Sequence, residues 1–566
     1  MRRLCQAGRK ARASRGRAGP RKAPQMPNSE PTLAIFRNQT FRMLWIATLA
    51  SNFGGLVQSV GAAWMMTSLS ASESMVALVQ TSITLPIMIF SLAAGVFADN
   101  FDRRRIMLAA QTFMLLVSLG LAVLAYEGLL TPWLLLSFTF LIGCGTALHN
   151  PSWQASVGDI VSRAELSAAV SVNSMGFNLM RSVGPAAGGA IVAIAGAAAA
   201  FAVNALSYVA IIAALFNWRP ALPPRRLPRE PFGSAFSAGL RYVAMSPNLL
   251  RVILRGFLFG CSAVALQALL PLVVRDHLQG TAMVYGVLLG CFGFGAVAGA
   301  IGNARLRARF HNERITKLGF LGFAASAVVL SLSGDFLTSA GAMFVAGICW
   351  VVSLSLFNVT MQLSTPRWVV GRVLALYQTG VFGGMAGGSW LWGAVAERAG
   401  LQGALLGAAA VLVLGALAGL IAPLPDTGEL NLDPLNRFRE PPLQLDLTQR
   451  SGPIMIMVDY EIAQQDVPAF LDLMSERRRI RIRDGAQQWT ILRDLENPDI
   501  WTETYHVPTW VEYIRHHERR TQSDAGITDR LLALHKGTSP VRVHRMIERQ
   551  TVSRHDEVRR SPKPPG

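Results

Sequence analysis

Long uncharged apolar stretches dominate the chain between residues 43 and 423. Ser74 to Ala98 and Ile106 to Tyr126, for example, contain no charged residue. A bilayer-crossing helix needs about 20 mostly apolar residues, and a helix satisfies its backbone polar groups internally. We therefore predict twelve transmembrane helices, near 43–66, 74–98, 106–126, 131–155, 168–193, 197–218, 252–274, 281–303, 316–334, 337–360, 373–396 and 401–423.

The short connections between these stretches differ in charge. Alternate connections are basic and hold Arg103, Arg104, Arg105, Arg163, Arg219, Arg225, Arg226, Arg229, Arg305, Arg307, Arg309, Arg314, Lys317, Arg367 and Arg372. The other connections have only Arg275 and Arg398, near span ends. Because Lys and Arg concentrate on the cytoplasmic side of membrane proteins, we predict that the basic side and both termini are cytoplasmic.

The composition is that of a membrane protein: 51% of residues are hydrophobic, 15% are charged, and the mean hydropathy is +0.35. Soluble proteins have about 25% charged residues. The net charge of +19 is spread over the chain ends and connections, so no nucleic-acid partner is expected. The residues before Phe41 are basic, and no long apolar stretch begins before Met43. This pattern argues against a cleavable signal peptide. A disordered tail and an over-extended start codon would look alike here.

The sequence contains no pattern that predicts a cofactor or metal. Four of its five cysteines (Cys144, Cys261, Cys291 and Cys349) lie singly inside apolar stretches, which is typical of isolated buried thiols. No phosphate-binding glycine loop is present, so ATP hydrolysis is not expected. No carboxylate lies in the middle of a span, and proton coupling through a central acid is therefore not visible.

The long basic connection from Arg219 to Arg251 divides the spans into six and six. The halves share weak similarities. The second span of each half ends in a glycine followed by a polar residue and arginines, and the fifth spans contain "GPAAGG" (184–189) and "GGMAGG" (383–388). Repeated halves are typical of secondary transporters, which bind substrate near the midplane between them.

The stretch "GVFADNFDRRRIM" (95–107) resembles the loop motif between spans two and three of the major facilitator superfamily. Gly95, Asp99, Arg103 and Arg104 match that motif, whereas Asn100 replaces an arginine and Asp102 replaces a glycine. The resemblance implies that this loop helps to latch the two halves together on the cytoplasmic side during alternating access. The alternative is that its charges serve only as a topology signal.

Two further stretches resemble the exporters of that superfamily. "GPAAGG" is similar to their fifth-span motif at Gly184, Pro185, Gly188 and Gly189, although Met180 replaces an upstream glycine. "SNFGGLVQSVGAAWMMTSL" (51–69) resembles the enterobactin-exporter-like branch, the transmembrane secretion effectors. The resemblance covers about 40–425 and implies an all-α membrane fold of twelve helices in two six-helix halves.

Arg181 is the only charged residue well inside a predicted span, and Arg255 lies within a turn of its span's start. An intramembrane charge is costly and usually faces a protein interior or a watery cavity. Two interpretations of Arg181 stay open: a contact to substrate or gate, or a structural arginine that binds carbonyls freed near Pro185. The other polar or aromatic cavity candidates are Gln58, Asn150, Gln154, Asn173, Asn178, Gln267, Asn358, Gln362, Gln378, Trp64, Trp153, Trp350 and Tyr377. Each of these alone is more often a helix-packing residue.

After Pro423 the sequence becomes charged and proline-rich, which is typical of a linker. From about 452, alternating and helical patterns predict the order β-α-β-β-α-β of a ferredoxin-like domain. This segment resembles the dimeric α/β-barrel group that includes antibiotic-biosynthesis monooxygenases. An enzyme would enlist Trp501, Tyr505, His506, His516 and His517, but a dimerisation or regulatory role is the favoured interpretation.

The predicted domains are a basic disordered tail (1–40), a first six-helix half (41–218), a central loop (219–249), a second half (250–425), a linker (426–451), a ferredoxin-like cytoplasmic domain (452–550) and a disordered tail (551–566). We predict a secondary active transporter of the bacterial inner membrane. It would export a small amphipathic molecule such as a siderophore, lipophilic metabolite or drug. The alternatives are an importer on the same fold and a membrane-tethered enzyme. The expected partners are the substrate, the bilayer and a second copy bound through the C-terminal domain.

Overall fold

The computed structural model describes residues 32–70, 72–162, 165–219, 232–366, 368–424, 432, 435, 441–537 and 539–548. The predicted tail 551–566 and residues 1–31 of the predicted tail 1–40 lie outside this part. The prediction of disorder up to residue 40 is wrong for the last residues, because Thr32–Arg37 form a 3-10 helix in which Ile35 is buried. The ring of Phe36 packs edge-on against Trp45 at 4.9 Å, which fixes the turn on the first span.

The membrane part of the described chain consists of long helices. They are α1 (Gln39–Leu69), α2 (Glu73–Asn100), α3 (Arg103–Tyr126), α4 (Pro132–Ile160), α5 (Leu166–Asn217), α6 (Phe232–Ala244), α7 (Pro247–Leu272), α8 (Ala282–Arg309), α9 (Asn312–Leu332), α10 (Phe336–Leu363) and α11 (Val370–Leu417). A π-helical turn, Val273–His277, extends α7. Ten of these eleven helices are long and apolar enough to cross a membrane, and α6 is too short.

Helix α5 reverses direction at Gly196, which has a positive φ of 79° that suits glycine. Before the reversal, Gly176 faces Leu49 of α1. After it, Asn204 faces Gly54 of the same helix, so the chain has turned back along α1. The predicted fifth and sixth spans are therefore both present within the 52 residues of α5.

Helix α11 reverses in the same way at Gly400, whose φ is 74°. Gly380 packs beside Ile253 of α7 before the turn, and Gly415 lies beside Leu258 of α7 after it. With both reversals the ten long helices make twelve crossings, as the hydrophobic pattern predicts. The two turns stand 204 residues apart, as do Gly95 and Gly299, which supports the repeat of the two halves.

The central connection is not simply a loop, as the sequence analysis expected for 219–249. Its second part forms α6, an amphipathic helix that packs against α7 and α11 of the second half. Gly239 permits this contact, because a β-carbon there would lie 2.8 Å from the β-carbon of Arg372. Residues 220–231 lie outside the described part.

The C-terminal domain has four strands, β1 (Ile454–Glu461), β2 (Gln487–Arg493), β3 (Ile500–Val507) and β4 (Arg542–Ile547), in the antiparallel order β2-β3-β1-β4. In register, Ile454 lies opposite Val507 in β3 and Ile547 in β4. Helices α12 (Val467–Asp484), α13 (Trp510–Glu518) and α14 (Gln522–Leu534) complete the domain. The ferredoxin-like order is confirmed, but the sequence analysis missed α14.

Alternation along β1 gives the domain its core. Ile454, Ile456, Val458 and Tyr460 are buried, while the intervening side chains occupy the other sheet face. Phe470 of α12 packs on this buried face. Of the predicted linker 426–451, Leu443 and Leu447 pack against the same core.

Candidate transport site and gates

Arg181 lies at the boundary between the two halves. It belongs to α5 of the first half, and its guanidinium carbon is 5.4 Å from the ring centre of Phe292 in α8 and 5.7 Å from that of Trp350 in α10. No described residue gives this guanidinium a hydrogen bond or an ion pair. Aromatic faces attract a cation but do not neutralise it. The arrangement therefore leaves a positive charge open to an anionic or hydrogen-bonding ligand.

Glycines bring α5 and α8 together around Arg181. A β-carbon on Gly293 of α8 would lie 2.5 Å from the carbonyl oxygen of Arg181. One on Gly286 would lie 2.5 Å from the carbonyl oxygen of Pro185. Gly189 of the fifth-span motif faces Gly286 in return. This helix contact between halves depends on glycine at each of these positions.

The other glycines of the fifth-span motif face the first half. A β-carbon on Gly184 would lie 2.9 Å from the side chain of Leu56, and one on Gly188 would lie 3.0 Å from the Cα atom of Val57. The motif thus lets α5 approach α1 on one face and α8 on another.

Gln58 belongs to a buried polar network inside the first half. Its side-chain oxygen accepts hydrogen bonds from Ser118 (2.7 Å) and from Asn204, whose amide also lies 3.1 Å from the Tyr208 hydroxyl. The residues predicted from the sequence do not include Ser118, Asn204 or Tyr208. Their only signal was a polar residue inside an apolar span, and the network joins α1, α3 and α5.

The remaining cavity candidates are spread over several helices. Asn150 and Gln154 are exposed on α4, and Asn178 donates to the Ser174 carbonyl of its own helix at 2.9 Å. Asn358 accepts from Gln362 at 2.5 Å on α10, and Trp153 donates to Asn173 at 3.3 Å. Gln267 has a buried side-chain nitrogen without a partner in the described chain, and Gln378 is half-buried. The Tyr377 hydroxyl lies 3.4 Å from the Leu354 carbonyl. The ring of Trp64 stacks on that of Tyr285 across the halves, with ring centres 6.2 Å apart. Of the predicted set, only Arg181, Trp350 and Trp64 have described ring contacts across the halves.

Hydrogen bonds join the halves at the end of the bundle opposite the C-terminal domain, here called the outer side. Glu397 of α11 accepts from Ser74 of α2 at 2.9 Å and also from Ser72. Arg275 donates to the carbonyl of Thr67 at 3.1 Å. These contacts, here called the outer latch, hold the outer side closed. The sequence does not predict these contacts, because each residue lies in a short polar connection or at a span end.

The charged loop 95–107 lies at the other end, here called the tail side. Arg103 donates to Asp159 of α4 at 2.7 Å, and Arg104 donates to the carbonyls of Leu215 and Phe216 at 2.8 and 2.9 Å. These partners all belong to the first half. The side chains of Gly95 and Asp99 lie outside the described residues, although both positions belong to α2.

Asp102, which stands where the motif has glycine, caps α3. Its side chain accepts from the Arg104 amide at 3.0 Å, and Arg105 lies 3.5 Å away. Aspartate is among the favoured residues at a helix N-terminus. This departure from the family motif thus has a local structural reason.

Arg255, the other arginine in an apolar span, differs from Arg181 because it has an acidic partner, Glu313. It is 5% exposed, lies 3.6 Å from Glu313 of α9, and donates to the carbonyl of Gly415. It ties α7 to α9 and α11 within the second half. Its position and pairing indicate a structural arginine.

The C-terminal domain rests on the tail side of the second half. Arg483 lies 5.3 Å over the ring of Tyr242 in α6, and Arg519 lies 4.6 Å over the ring of Trp368, just before α11. The Tyr242 and Trp368 rings meet edge to face at 5.8 Å. Asp484 links the two arginines, because it pairs with Arg483 at 2.9 Å and its carbonyl accepts from Arg519 at 2.9 Å. We call these five residues the dock.

A buried ion cluster holds the interior of the C-terminal domain. Glu503 is fully buried and accepts from Arg477 at 2.8 Å, Arg481 at 3.0 Å and Trp489 at 3.0 Å. Burial alone would raise the pKa of Glu503, but the charges of Arg481 and Arg477 outweigh it and hold the pKa well below its ordinary value. The carboxylate therefore stays charged at neutral pH.

Of the residues that an enzyme would enlist, Tyr505, His516 and His517 lie together, with ring centres 5.4 and 5.5 Å apart, whereas no described ring contact joins Trp501 or His506 to them. Trp501 packs against Phe470, while Tyr505 lies beside His516 at 5.4 Å in the core. His506 lies on the opposite sheet face, because neighbouring residues of a strand point to opposite sides. No group of three or more metal-ligating side chains occurs among the residues described.

Comparison with known proteins decides the family. The sequence profile of the family described as transmembrane secretion effector matches residues 30–552, which includes both halves and the C-terminal domain. The chain belongs to this family. Such a secretion effector is a transporter of the major facilitator type, and the protein is therefore a multi-pass membrane protein.

Relatives and solved structures agree with that assignment. Enterobactin exporters of Escherichia coli and Escherichia fergusonii are 27% identical to this secretion effector over 361 residues, which cover 62% of this chain and 82% of theirs. The structure of a bacterial homologue of the human lysosomal transporter Spinster aligns with a TM-score of 0.52 at 15% identity, over 69% of this chain and 95% of that one. The nucleoside transporter NupG aligns with a TM-score of 0.53 at 12% identity, over 68% and 98%. These structures share its fold.

Proposed function

We propose that this transporter exports a small amphipathic molecule with anionic or polar aromatic groups, of which a siderophore is one example. The observation that carries this proposal is the unpaired Arg181 between Phe292 and Trp350. The cation offers a permanent charge to an acidic group, and the aromatic rings offer apolar contact to the rest of the molecule. The similarity to enterobactin exporters supports the same class of substrate and the outward direction.

Alternating access would expose this site to each side of the membrane in turn. In the described structure the outer latch closes one side through Glu397 and Arg275. Opening toward that side requires these hydrogen bonds to break. On the tail side, Arg103 and Arg104 fix the first half internally, so their family role as a latch between halves remains a proposal for another conformation.

A substrate accumulation screen tests the proposal. Cells with and without the protein would be compared for retention of phenolate and carboxylate siderophores, lipophilic metabolites and cationic drugs. Export of anionic amphipaths predicts lower retention of those compounds in cells with the protein, and a reduced effect in the Arg181→Met variant. Higher retention would indicate import, and equal retention of every compound would refute the substrate class.

We further propose that the protein lies in the bacterial inner membrane with both termini in the cytoplasm. The charge bias of the connections supports this orientation, because the tail side carries the basic set. A tag after Gly566 should be inaccessible from the periplasm of intact cells. Labelling of that tag in intact cells would reverse the orientation.

For the C-terminal domain we propose a regulatory or dimerising role, without catalysis. The dock supports regulation, since it attaches the domain to the second half through Tyr242 and Trp368. The sheet face that carries Met455, Met457 and Met546 is opposite to the helices and offers a surface for a second copy. Sedimentation of the full chain in detergent should show a dimer, and a Met455→Glu, Met457→Glu variant should be monomeric.

A further inference from the structure

Arg520 follows α13 in the C-terminal domain, and Asp484, the acid whose charge acts on it, is already paired with Arg483. No described residue accepts a hydrogen bond from its guanidinium or forms an ion pair with it. Burial and the neighbouring charge of Arg481 lower its pKa to about 10, so it remains a cation at neutral pH. A charge in such surroundings destabilises the fold unless a counter-ion compensates it.

A cleft opens beside this unpaired arginine. Its polar walls are Arg477, Arg481, Arg520, His516, Thr528 and the carboxylates of Asp484 and Asp524. Leu435 of the linker covers the cleft, and its amide donates to the Arg520 carbonyl at 3.0 Å. Arg477 also reaches Thr528 at 3.4 Å, so a hydroxyl lies beside the guanidinium groups. The cleft therefore presents hydrogen-bond donors from three side-chain types.

The charges around the cleft do not balance. Arg477 and Arg481 share the single carboxylate of Glu503. Asp484 and Asp524, the two acids that line the cleft, both pair with Arg483, at 2.9 and 2.8 Å. In this group of charges, in and behind the cleft wall, four guanidinium groups accompany three carboxylates, and Arg520 is the one that forms no ion pair among the described residues. His516 adds no positive charge, because burial and Arg481 hold its pKa well below the ordinary value.

We propose that this cleft binds one small oxyanion, a carboxylate or phosphate group, with Arg520 as its principal ligand. Guanidinium forks match the oxygen geometry of both groups and hold them by charge-assisted hydrogen bonds. Thr528 donates a further hydroxyl hydrogen bond. The cleft has a volume of about 20 Å³, enough for about one water molecule, so an acidic group enters it only when Leu435 moves aside.

The site lies next to the dock. Asp484 forms part of the cleft wall. Its carboxylate pairs with Arg483, which lies over the ring of Tyr242, and its carbonyl accepts from Arg519, which lies over the ring of Trp368. A ligand that draws Arg520 inward changes the electrostatic potential at Asp484. Asp484 holds the two dock arginines, Arg483 and Arg519, so their contacts with the second half change as well. Binding of the anion and docking of the domain are thereby linked.

Equilibrium dialysis of the full chain in detergent with radiolabelled inorganic phosphate tests the site. We expect saturable binding of one phosphate per chain, and competition by acetate will show whether a carboxylate also fits. The Arg520→Gln variant should bind at least tenfold more weakly and keep an unchanged or higher melting temperature, because it loses only an uncompensated cation. If acetate binds and phosphate does not, the ligand class is a carboxylate.

Arg530→Gln provides the matched control. Arg530 is 62% exposed and lies 3.5 Å from Glu476, away from the cleft, so its loss should leave phosphate affinity unchanged. Phosphate should raise the melting temperature of the wild type and of Arg530→Gln, but not of Arg520→Gln. Equal binding in wild type and Arg520→Gln overturns the proposal, and so does the absence of binding of both anions to the wild type at millimolar concentration.

Discussion

Replacement of Arg181 by methionine distinguishes the two interpretations of this residue, as a contact to substrate or as a structural arginine. The guanidinium contacts Phe292 and Trp350 at 5.4 and 5.7 Å and has no described counter-ion. Two cation–aromatic contacts stabilise the fold by about 1–2 kcal/mol each. Desolvation of an unpaired charge costs several kcal/mol. The two terms oppose each other, so Arg181→Met should leave folded stability unchanged or raise it.

Transport should change in the opposite direction. A hydrogen bond to a charged group contributes about 1.5–3 kcal/mol, which corresponds to about 10- to 150-fold in affinity for an anionic substrate. Arg181→Lys should retain the charge but lose the two-pronged geometry, and should therefore show an intermediate loss. Uncharged substrates should lose much less than anionic ones in both variants.

The assay measures transport and melting temperature of the same purified protein in vesicles, normalised to folded protein. Arg255→Met is the matched control: it removes a buried, paired arginine and should destabilise the protein by about 3–5 kcal/mol. A clear fall in the melting temperature of Arg181→Met, with an equal loss of transport across all substrates, would refute the substrate contact.

Four further experiments test the other parts of the structure. Glu503→Gln should destabilise the C-terminal domain by about 3–5 kcal/mol at pH 7. Because the pKa of Glu503 in the folded protein lies below the ordinary value of about 4.3, the greater stability of the wild type should persist above that pH and disappear on further acidification. Denaturation curves that show the same stability difference in acid would contradict this prediction. Glu397→Gln should open the outer latch. In a protein without native cysteines, a cysteine introduced at Ala77, which faces Gly393 across the halves, should then react faster with maleimide. An unchanged labelling rate would show that these hydrogen bonds do not hold the outer side closed. Tyr242→Leu and Arg483→Gln should couple by about 0.5–2 kcal/mol in a double-mutant cycle of thermal unfolding, whereas additive effects would argue against the dock. Asp102→Gly should restore the family residue yet lower stability by about 0.5 kcal/mol through loss of the cap, and a gain in stability would contradict that assignment.

The hydrophobic pattern predicts the membrane fold well, because bilayer crossing imposes length and apolarity on every span. It also predicts the C-terminal sheet, where alternation along Ile454–Glu461 is regular. The pattern fails where elements are short and amphipathic. Helix α6 follows a run of prolines and arginines, a pattern that predicts a loop, and α14 begins two residues after the arginines that follow α13.

Partners of polar residues are harder to predict than elements. Gln58 and Arg181 are both visible as polar groups in apolar spans. Only the rotation and pairing of helices reveal that Gln58 meets Ser118 and Asn204, whereas Arg181 meets rings of the other half. The dock likewise joins residues far apart in sequence, Tyr242 and Arg483, which no local pattern connects.

Substrate uptake by inside-out membrane vesicles tests the central claim most directly, because export from the cell becomes uptake in this geometry. We predict that energised vesicles containing the protein accumulate a phenolate or carboxylate siderophore against its gradient, and that Arg181→Met vesicles with equal folded protein do so at least tenfold less. Accumulation no higher than in vesicles without the protein, across the full panel of anionic amphipaths, would contradict the account.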